Sequence, residues 1–528
     1  MPHMPASLVL LAPFGLVLAA LLPQRNTGRR PTGRLWLGRW ATLGSLLIAV
    51  LAAIACARYG AMTSALIGAD GIGLSARLDA ISCSMFLLVA FVGVIVVQYS
   101  RNYMDGDARQ GTFTSGLCLT LAAVMLVVLA GNLVQLVAAW IATSLSLHRL
   151  LVFYPERRAA RIAARKKFIV ARTGDACLAA AALLLVRAFG STDIATLDTR
   201  ARLLAGTPTP ASLQVAALLI GIAALLKSAQ FPSHGWLPEV METPTPVSAL
   251  LHAGIINAGG FLMIRLADVM LLSAPVLHFI ALVGGFTALF GGVVMLTQTS
   301  VKGSLGWSTV AQMGFMTLEC GFGAFAIALL HLIAHSLYKA HAFLSAGSTV
   351  QSAPPAAITR PRVAAVLASL VLAVGIYAAV GWLFGVFARH DAAVLTLGAV
   401  LVMGVGMLMV SALHAGDILG MLARTMLGAA GATIAYFVLE RAFEWLTAGI
   451  LPAIPRPGLA GLCIMGLTIA SFGVVTLLQC LVPRWIQRPW WRKVRVHVAN
   501  GLYVNAAFDR LIGAMRRDDP TLPTTHPI

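Results

Sequence analysis

The chain has 528 residues, of which 59% are hydrophobic and 11% charged, and its formal net charge is +19. Soluble globular domains carry about a quarter of their residues as charged side chains, so this composition excludes that class. It predicts an all-α, polytopic bundle of membrane helices. The positive charge does not indicate nucleic-acid binding, because the lysines and arginines cluster between apolar runs, as membrane topology requires.

The seven cysteines occur singly, mostly inside apolar runs, without a CxxC or Cys/His ligand spacing. We interpret them as small core residues and predict neither disulfides nor a metal site in this chain. The sequence also lacks a phosphate-binding glycine loop, a GxSxG motif and a dinucleotide fingerprint. We therefore expect no cofactor on this chain, and we favour ion translocation over an enzymatic activity of its own.

The first apolar run has no lysine or arginine before it and five arginines after it. A cleavable signal peptide has the opposite order, so we expect a retained first span with its N terminus outside. Apolar runs of about 17–20 residues or more predict about 13–16 transmembrane helices. The runs lie near residues 6–22, 40–57, 80–98, 115–131, 133–153, 167–189, 212–230, 245–268, 276–298, 304–323, 325–348, 363–387, 392–413, 418–438 and 458–482.

Segments between these runs divide the chain. Residues 67–82 are rich in glycine and polar residues, which suits an extracytoplasmic hairpin or short amphipathic helix, whereas 191–212 is predicted to be a surface loop and 351–362 a linker. We expect four regions: N-terminal transmembrane helices with the hairpin, a central core, C-terminal transmembrane helices and a basic cytoplasmic tail. Their boundaries are 1–110, 111–350, 351–483 and 484–528.

Basic residues concentrate after the first and fifth runs and after the last one. Counting spans places these three segments on one side of the membrane, and the positive-inside rule makes that side cytoplasmic. Topology and contact with lipid headgroups explain the clusters better than docking of a partner. The clusters are Arg25, Arg29, Arg30, Arg34 and Arg39; Arg157, Arg158, Arg161, Arg165, Lys166 and Lys167; and Arg484, Arg488, Arg492, Lys493, Arg495, Arg510, Arg516 and Arg517.

The stretch 225–265 holds Lys227 and His252 inside apolar runs that prolines interrupt. A lysine near the bilayer centre costs at least roughly 2.5–3.5 kcal/mol. Because Pro232 follows Lys227 by five residues, we predict a broken helix with an ion site there, in preference to a lysine that snorkels to the interface. His252 is either a structural histidine or a proton relay, since imidazole titrates near neutral pH. We expect Lys227 and His252 to belong to one path.

A second cluster contains His331, His335 and Lys339, which are spaced four residues apart. This spacing puts three protonatable groups on one face of a helix, with His341 on another face. The HxxxH pair is also a metal-binding spacing, but no third ligand is evident nearby. A row of proton relays is the better interpretation.

Three further ionisable residues lie in or beside these apolar runs. Lys302 closes a span and is either an interface residue or a relay, whereas Glu319, near a helix end, is interpreted as structural. Asp175 follows Arg172 by one turn and is either a paired helix-start carboxylate or a relay.

Four long segments resemble the antiporter-like subunits of respiratory complex I and of Mrp cation antiporters. They are KSAQFPSHGWLPEVMETPTPVSALLHAG (227–254), HLIAHSLYKAHAFLSAGS (331–348), QTSVKGSLGWSTVAQMGFM (298–316) and RKKFIVARTGDACLA (165–179). The resemblance implies two inverted five-helix repeats, each with a broken helix, and a proton-conducting chain of Lys, His and carboxylate residues. The positions that match relay residues are Lys227, His252, His331, His335 and Lys339, and those that match motif positions are Asp175 and Lys302.

The sequence departs from complex I subunits at two places. Ile141 stands where those subunits carry a glutamate that pairs with the equivalent of Lys227, and His148, Glu156 and Asp175 are candidate replacements. Residues 363–391 lack the usual features of the second broken helix. Their Arg389-His390-Asp391 sequence is interpreted as a solvated loop, with functional substitution as the alternative.

The segments SLHRLLVFYPERRAARIAARKKF (146–168) and NGLYVNAAFDRLIG (500–513) favour one branch of this group. They resemble the DabB family, the membrane subunits of DAB inorganic-carbon accumulation complexes. This resemblance implies a bacterial inner membrane location and a partner of the DabA type, a peripheral zinc protein similar to a carbonic anhydrase. Zinc is then expected on the partner, and cation flux through this chain energises uptake of CO2 or bicarbonate. The alternatives are a proton-translocating subunit L of an NADH-quinone oxidoreductase and an Mrp-type sodium/proton antiporter subunit.

Overall fold

The computed structural model describes residues 6–21, 31–347, 363–389, 391–412, 418–485 and 488–511. The predicted linker 351–362 and His390 lie outside these residues. The helices are α1 Ala6–Leu21, α2 Thr32–Tyr59, α3 Ala80–Tyr103, α4 Gln110–Val128, α5 Leu133–Leu151, α6 Arg158–Phe189, α7 Ile194–Leu203, α8 Ala211–Lys227, α9 Trp236–Glu239, α10 Thr245–Arg265, α11 Ala267–Met270, α12 Ala274–Met295, α13 Val301–Gly321, α14 Phe325–Ser345, α15 Val363–Leu383, α16 Val386–Arg389, α17 Ala392–Ala412, α18 Ile418–Leu446, α19 Leu459–Trp485, α20 Pro489–Ala499 and α21 Val504–Leu511. The strands are β1 Met62–Thr63, β2 Ile67–Ala69, β3 Ile72–Leu74 and β4 Arg77–Leu78.

Twelve helices of the described part are long and apolar enough to cross a membrane. Two shorter apolar helices, α1 and α8, join them, and the 21-residue helix α13 runs alongside. Helices are the expected solution here, because every backbone polar group inside a bilayer must be satisfied within its own segment. The predicted class, a polytopic all-α bundle, is therefore confirmed.

One end of the bundle, here called the hairpin face, carries the strands of residues 62–78. β1 pairs with β4 and β2 with β3, both antiparallel. The β2–β3 turn has positive φ at Asp70 and Gly71, as a type I′ turn requires, so the predicted hairpin is confirmed. On the same face the Arg202 Nε lies 3.0 Å from the Asp268 Oδ2.

The opposite end, here called the tail face, carries the C-terminal helices α20 and α21. The Tyr154 hydroxyl donates to Asp107 at 2.8 Å, and the Gln298 amide donates to the Ala499 carbonyl at 3.3 Å. The loops after α3, α5 and α12 thus lie together with the C-terminal helices. This arrangement has the alternation of faces that the counting of spans predicted.

The prediction of a plain loop over 191–212 is wrong, because residues 194–203 form helix α7. Asp193 caps this helix by accepting from the Thr196 amide at 2.8 Å. Ile194, Leu197 and Ala201 form its buried side. The helix covers the hairpin face, and its polar side explains why the segment resembles a loop in sequence.

A buried ion pair joins the start of α3 to the end of α10. The Arg265 guanidinium donates to both Asp79 carboxylate oxygens, at 2.6 and 3.0 Å, and Arg77 lies 2.9 Å from the same carboxylate. Burial alone raises the pKa of Asp79, but the charges of Arg265 and Arg77 outweigh this effect and hold that pKa below its ordinary value. The carboxylate also caps α3 through the Ser82 amide at 2.9 Å.

Candidate functional site

The broken helix predicted at Lys227 is present. α8 ends at Lys227, and residues 228–244 form only short turns before α10 begins. Past the break, α10 crosses the end of α8 so closely that a Cβ at Gly259 would lie 2.4 Å from the Ala224 carbonyl oxygen. Only glycine allows this approach. The crossing fixes the Lys227 side chain against α10.

The Lys227 ammonium group lies in an apolar setting. Its nitrogen is buried, 4.3 Å from the centre of the Trp140 ring, and has no hydrogen-bond partner among the described residues. An adjoining cavity, lined in part by Trp140, Thr143 and Gly254, offers about 20 Å³ to the centres of water molecules. This is room for about one water. The site is therefore able to hold the hydrated ammonium that the sequence predicts.

Asp175 is the best-placed of the three candidates for the carboxylate missing at Ile141. Its charge acts on Lys227, and its helix packs on α8, with 3.6 Å between the Leu226 Cβ and a Cβ built at the neighbouring Gly174. Asp175 also forms an ion pair with Arg172. The counter-charge thus comes from α6 and not from the helix that carries Ile141.

The other two candidates have different surroundings. His148 packs its ring against Phe168, with ring centres 5.2 Å apart. Glu156 is exposed on the tail face, where it lies 3.6 Å from Arg109.

We expect Asp175→Asn to reduce transport by about tenfold, because loss of a nearby carboxylate removes at least ~1.4 kcal/mol of stabilisation from a charged lysine. The measurement is ion flux into sealed vesicles that contain the protein. Asp70→Asn, an exposed aspartate in the hairpin turn, is the matched control. Equal flux in the two variants would show that Asp175 does not act on Lys227.

His252 lies in a π-helical turn, Leu251–Ile255, inside α10. Such turns occur frequently at functional sites. The His252 Nδ1 lies 2.9 Å from the Thr309 hydroxyl, which itself donates to the Leu305 carbonyl at 3.0 Å. The hydroxyl therefore accepts from Nδ1, and Nε2 of the neutral ring is the acceptor. This nitrogen is buried without a partner among the described residues.

Lys339 connects His252 to the second cluster. Its ammonium group donates at 3.1 Å to the Leu305 carbonyl, the same oxygen that accepts from Thr309. Lys339, Leu305, Thr309 and His252 thus form a continuous polar chain between α14, α13 and α10. The sequence predicted both ends of this chain but not the two residues that join them.

The predicted row on α14 is present as one line of side chains. His335 and Lys339 are buried, and the ring centres of His331 and His335 are 6.1 Å apart. From Lys339 to His331 the row rises about 12 Å along the helix, at ~1.5 Å per residue. His341 is exposed away from the row, as predicted.

Glu319 ends the row at the hairpin face. Its Oε2 lies 2.9 Å from the His331 Nδ1, and its side chain is buried. From the sequence we expected a structural role for Glu319, and we did not predict its contact with His331. A carboxylate inside an apolar membrane helix was the available signal.

Lys302 occupies the first turn of α13, one turn before Leu305, and is partly buried. It makes no hydrogen bond or ion pair within the described residues. The structure brings it to the tail-face end of the polar chain but not into direct contact with the row.

Several polar atoms along this path have no hydrogen-bond partner among the described residues. They are the Lys227 Nζ, the His252 Nε2, the Asn257 Oδ1 and the His335 Nε2. Each unpaired buried polar atom costs about 1–3 kcal/mol, so their succession indicates positions for ordered water. A line of protonatable groups with sites for water between them is suited to proton transfer.

The C-terminal helix α21 covers the tail-face side of the break after α8. The fully buried Lys166 ammonium donates to Glu239 at 2.6 Å and to Asn505 at 3.2 Å, and it also contacts Asp509. The segment 500–513, which resembles the DabB family in sequence, therefore packs directly on the broken-helix segment. Its described part ends at residue 511.

The broken helix, the buried lysines and the histidine row define an antiporter-like membrane subunit. A family model described as "NADH:quinone oxidoreductase/Mrp antiporter, TM" matches residues 130–361, and one for the N terminus of complex I chain 5 matches 67–114. The fold resembles a chain of the Mrp complex from Dietzia sp. DQ12-45-1b, with a TM-score of 0.59 and 24% identity over 98% of this chain and 61% of that one. It also resembles a chain of the membrane-bound sulfane sulfur reductase, an archaeal respiratory complex, with a TM-score of 0.58 and 18% identity over 95% and 99% of the two chains.

The sequence relatives narrow this class. The chain is 37% identical to the "Probable inorganic carbon transporter subunit DabB2" of Halothiobacillus neapolitanus, over 96% of this chain and 94% of that protein. It is 42% identical to the corresponding DabB of Hydrogenovibrio crunogenus, over 67% of this chain and 66% of that protein. The NAD(P)H-quinone oxidoreductase chain 5 of Synechocystis is 37% identical over 52% of this chain and 40% of its own length. The chain belongs to the DabB family and is a multi-pass membrane protein.

Proposed function

We propose that this chain conducts cations, most simply protons, and thereby energises the uptake of CO2 or bicarbonate by a partner zinc subunit of the DabA type. The observation that carries the proposal is the line of buried protonatable side chains from Lys227 to the His331–Glu319 pair. The names of the DabB relatives, which refer to inorganic carbon transport, supply the cargo.

In this proposal a proton loads the Lys227 and His252 region and passes to or from the row on α14. The polar chain through Thr309 and Leu305 couples the two regions, because Lys339 and the Thr309 hydroxyl that contacts His252 both donate to the Leu305 carbonyl. The proton occupancy of the row then changes the state of the partner. We further propose that the tail face is cytoplasmic and that the membrane is the bacterial inner membrane, since basic residues concentrate on that face.

Two other functions use the same relay, namely proton translocation in a quinone-linked complex and Mrp-type sodium/proton antiport. The extent of similarity favours carbon uptake over proton translocation in a quinone-linked complex. The DabB2 relative matches 96% of this chain, whereas the quinone oxidoreductase relative matches 52%.

Purification of the tagged chain from its native membrane tests the proposal. We expect a large zinc protein of the carbonic-anhydrase type to travel with it in constant proportion. Co-purification of NADH-dehydrogenase subunits or of small Mrp subunits would support the respective alternative instead. A chain that purified alone and fully active would contradict all three complexes.

A further inference from the structure

The relay described above stops short of the hairpin face. Its last members, Glu319 and His331, lie near the ends of α13 and α14. The next membrane helix, α15, has no charged residue in its sequence VAAVLASLVLAVGIYAAVGWL. Another element must supply the last protonatable groups if the path opens on this face.

Helix α18 carries such groups on one side. Tyr436, Glu440 and Glu444 follow one another at four-residue spacing, so they form a line along the helix that faces in one direction. Glu440 is 2% exposed, whereas the Glu444 side chain is 29% exposed. α18 packs against α14, which carries the histidine row. The line therefore runs from the protein interior towards the hairpin face.

A cavity of about 370 Å³ lies at the end of this line. Its walls include Glu444, Asp391, the α13–α14 turn at 323–327 and the loop after α18. This volume has room for many water molecules. Two carboxylates thus border a space on the hairpin face that water can fill.

Glu319 and Glu440 lie on the two helices, α13 and α18, whose ends border this cavity. The Ala324 amide, in the turn that lines the cavity, donates to the Glu319 carbonyl at 3.0 Å. Glu440 lies on α18, one helical turn further from the hairpin face than Glu444. The charges of Glu319, Glu440 and Glu444 all act on the Tyr436 ring hydroxyl, and Tyr436 lies one turn before Glu440 on the same side of α18.

A second buried hydroxyl points to a proton or water in this region. Tyr377 on α15 is 8% exposed, its hydroxyl oxygen has no hydrogen-bond partner among the described residues, and the charge of Glu440 acts on it. An unpaired buried hydroxyl costs about 1–3 kcal/mol unless water reaches it. The unpaired Tyr377 hydroxyl therefore indicates a position for water on α15, next to α18.

We propose that Glu440 is the last buried proton carrier of the path, connecting the His331–Glu319 pair to the hairpin-face cavity. A proton released by the His331 Nδ1 passes to the Glu319 carboxylate and then, through the Tyr436 hydroxyl or a water, to the Glu440 carboxylate. Glu440 releases it to water in the cavity bordered by Glu444 and Asp391. The same steps in reverse carry protons inward. This inference rests on the proposed proton conduction and assigns its hairpin-face end.

The first test compares variants of the intact complex in sealed vesicles, with an internal pH-sensitive dye and an imposed pH gradient. We expect Glu440→Gln to lower proton flux about 10²-fold, as loss of a positioned proton carrier does, and Glu440→Asp to recover part of it. Glu156→Gln, on the exposed tail-face glutamate, is the control and should keep the full flux. Flux in Glu440→Gln within twofold of the parent chain, with Lys227→Ala inactive, would overturn this inference alone. Absence of flux from the parent chain itself would instead contradict proton conduction.

A second measurement uses the unaltered protein. Dicyclohexylcarbodiimide adds to protonated carboxyl groups in apolar surroundings and forms an N-acylurea that mass spectrometry locates. We expect an adduct on Glu440, formed faster at low pH than at high pH, and none on Glu156. If Glu440→Gln fails to accumulate, this labelling decides the question, and a Glu440 without adduct overturns the proposal.

Discussion

Lys227→Ala is expected to abolish carbon-dependent growth of a host that depends on this chain and its partner. Among the described residues that line the Trp140 cavity, Lys227 alone can take up a proton, and the variant removes it. The Lys227 nitrogen has no hydrogen-bond partner among the described residues, so the substitution breaks no hydrogen bond there. Expression and binding of the partner should therefore stay unchanged. The measurement is growth at low CO2 together with the yield of the purified complex.

Two further variants separate proton exchange from charge. Lys227→Arg keeps the positive charge, but a guanidinium group stays protonated in proteins, so we expect this variant to be inactive as well. Lys493→Ala changes an exposed lysine on the tail face and should grow normally. Full growth of the Lys227→Ala strain would end the role assigned to this residue, and full growth of Lys227→Arg would reduce it to a fixed charge.

The elements that the sequence predicted best are those with a local physical cause. Proline after an apolar run predicted the break at Lys227, and four-residue spacing predicted the row on α14. Both rules act within one segment, so no neighbouring element is needed to apply them. Helix α7 was not predicted from the sequence. Its short buried side packs on the hairpin face, which exists only in the folded chain.

The connections between segments could not be predicted in this way. Asp175, our candidate for the carboxylate missing at Ile141, lies on a different helix, and the packing of that helix on α8 at Gly174 could not be predicted. Thr309 is an ordinary residue of α13 in the sequence, yet its hydroxyl positions His252. Such roles depend on which helices pack together and at what level, and no single apolar run carries that information.

The largest loss of stability is expected from Arg265→Met. This change leaves the Asp79 carboxylate, which is 0% exposed, without its bidentate partner. Removing one member of a buried pair typically costs about 3–5 kcal/mol, because the other charge stays desolvated. Arg77 stays 2.9 Å from Asp79, so we expect a loss near the lower end of this range. Glu156→Gln is the matched control, since the Glu156 side chain is 62% exposed and that of its partner Arg109 43%, and such a pair is worth about 1 kcal/mol or less. Thermal unfolding of the purified complex in detergent measures the difference.

The double variant Asp79→Leu with Arg265→Met distinguishes an uncompensated charge from a general packing defect. Replacing both members by apolar side chains removes the desolvated charge, so we expect it to be more stable than Arg265→Met alone by at least ~1 kcal/mol. Arg77 keeps a partner in this variant, because its guanidinium also lies 2.7 Å from Asp198. The pair clamps α3 to α10 at the hairpin face, at the far end of α10 from His252, so transport per folded complex should change little. A double variant no more stable than the single one would show that the pair contributes through shape and not through its charges.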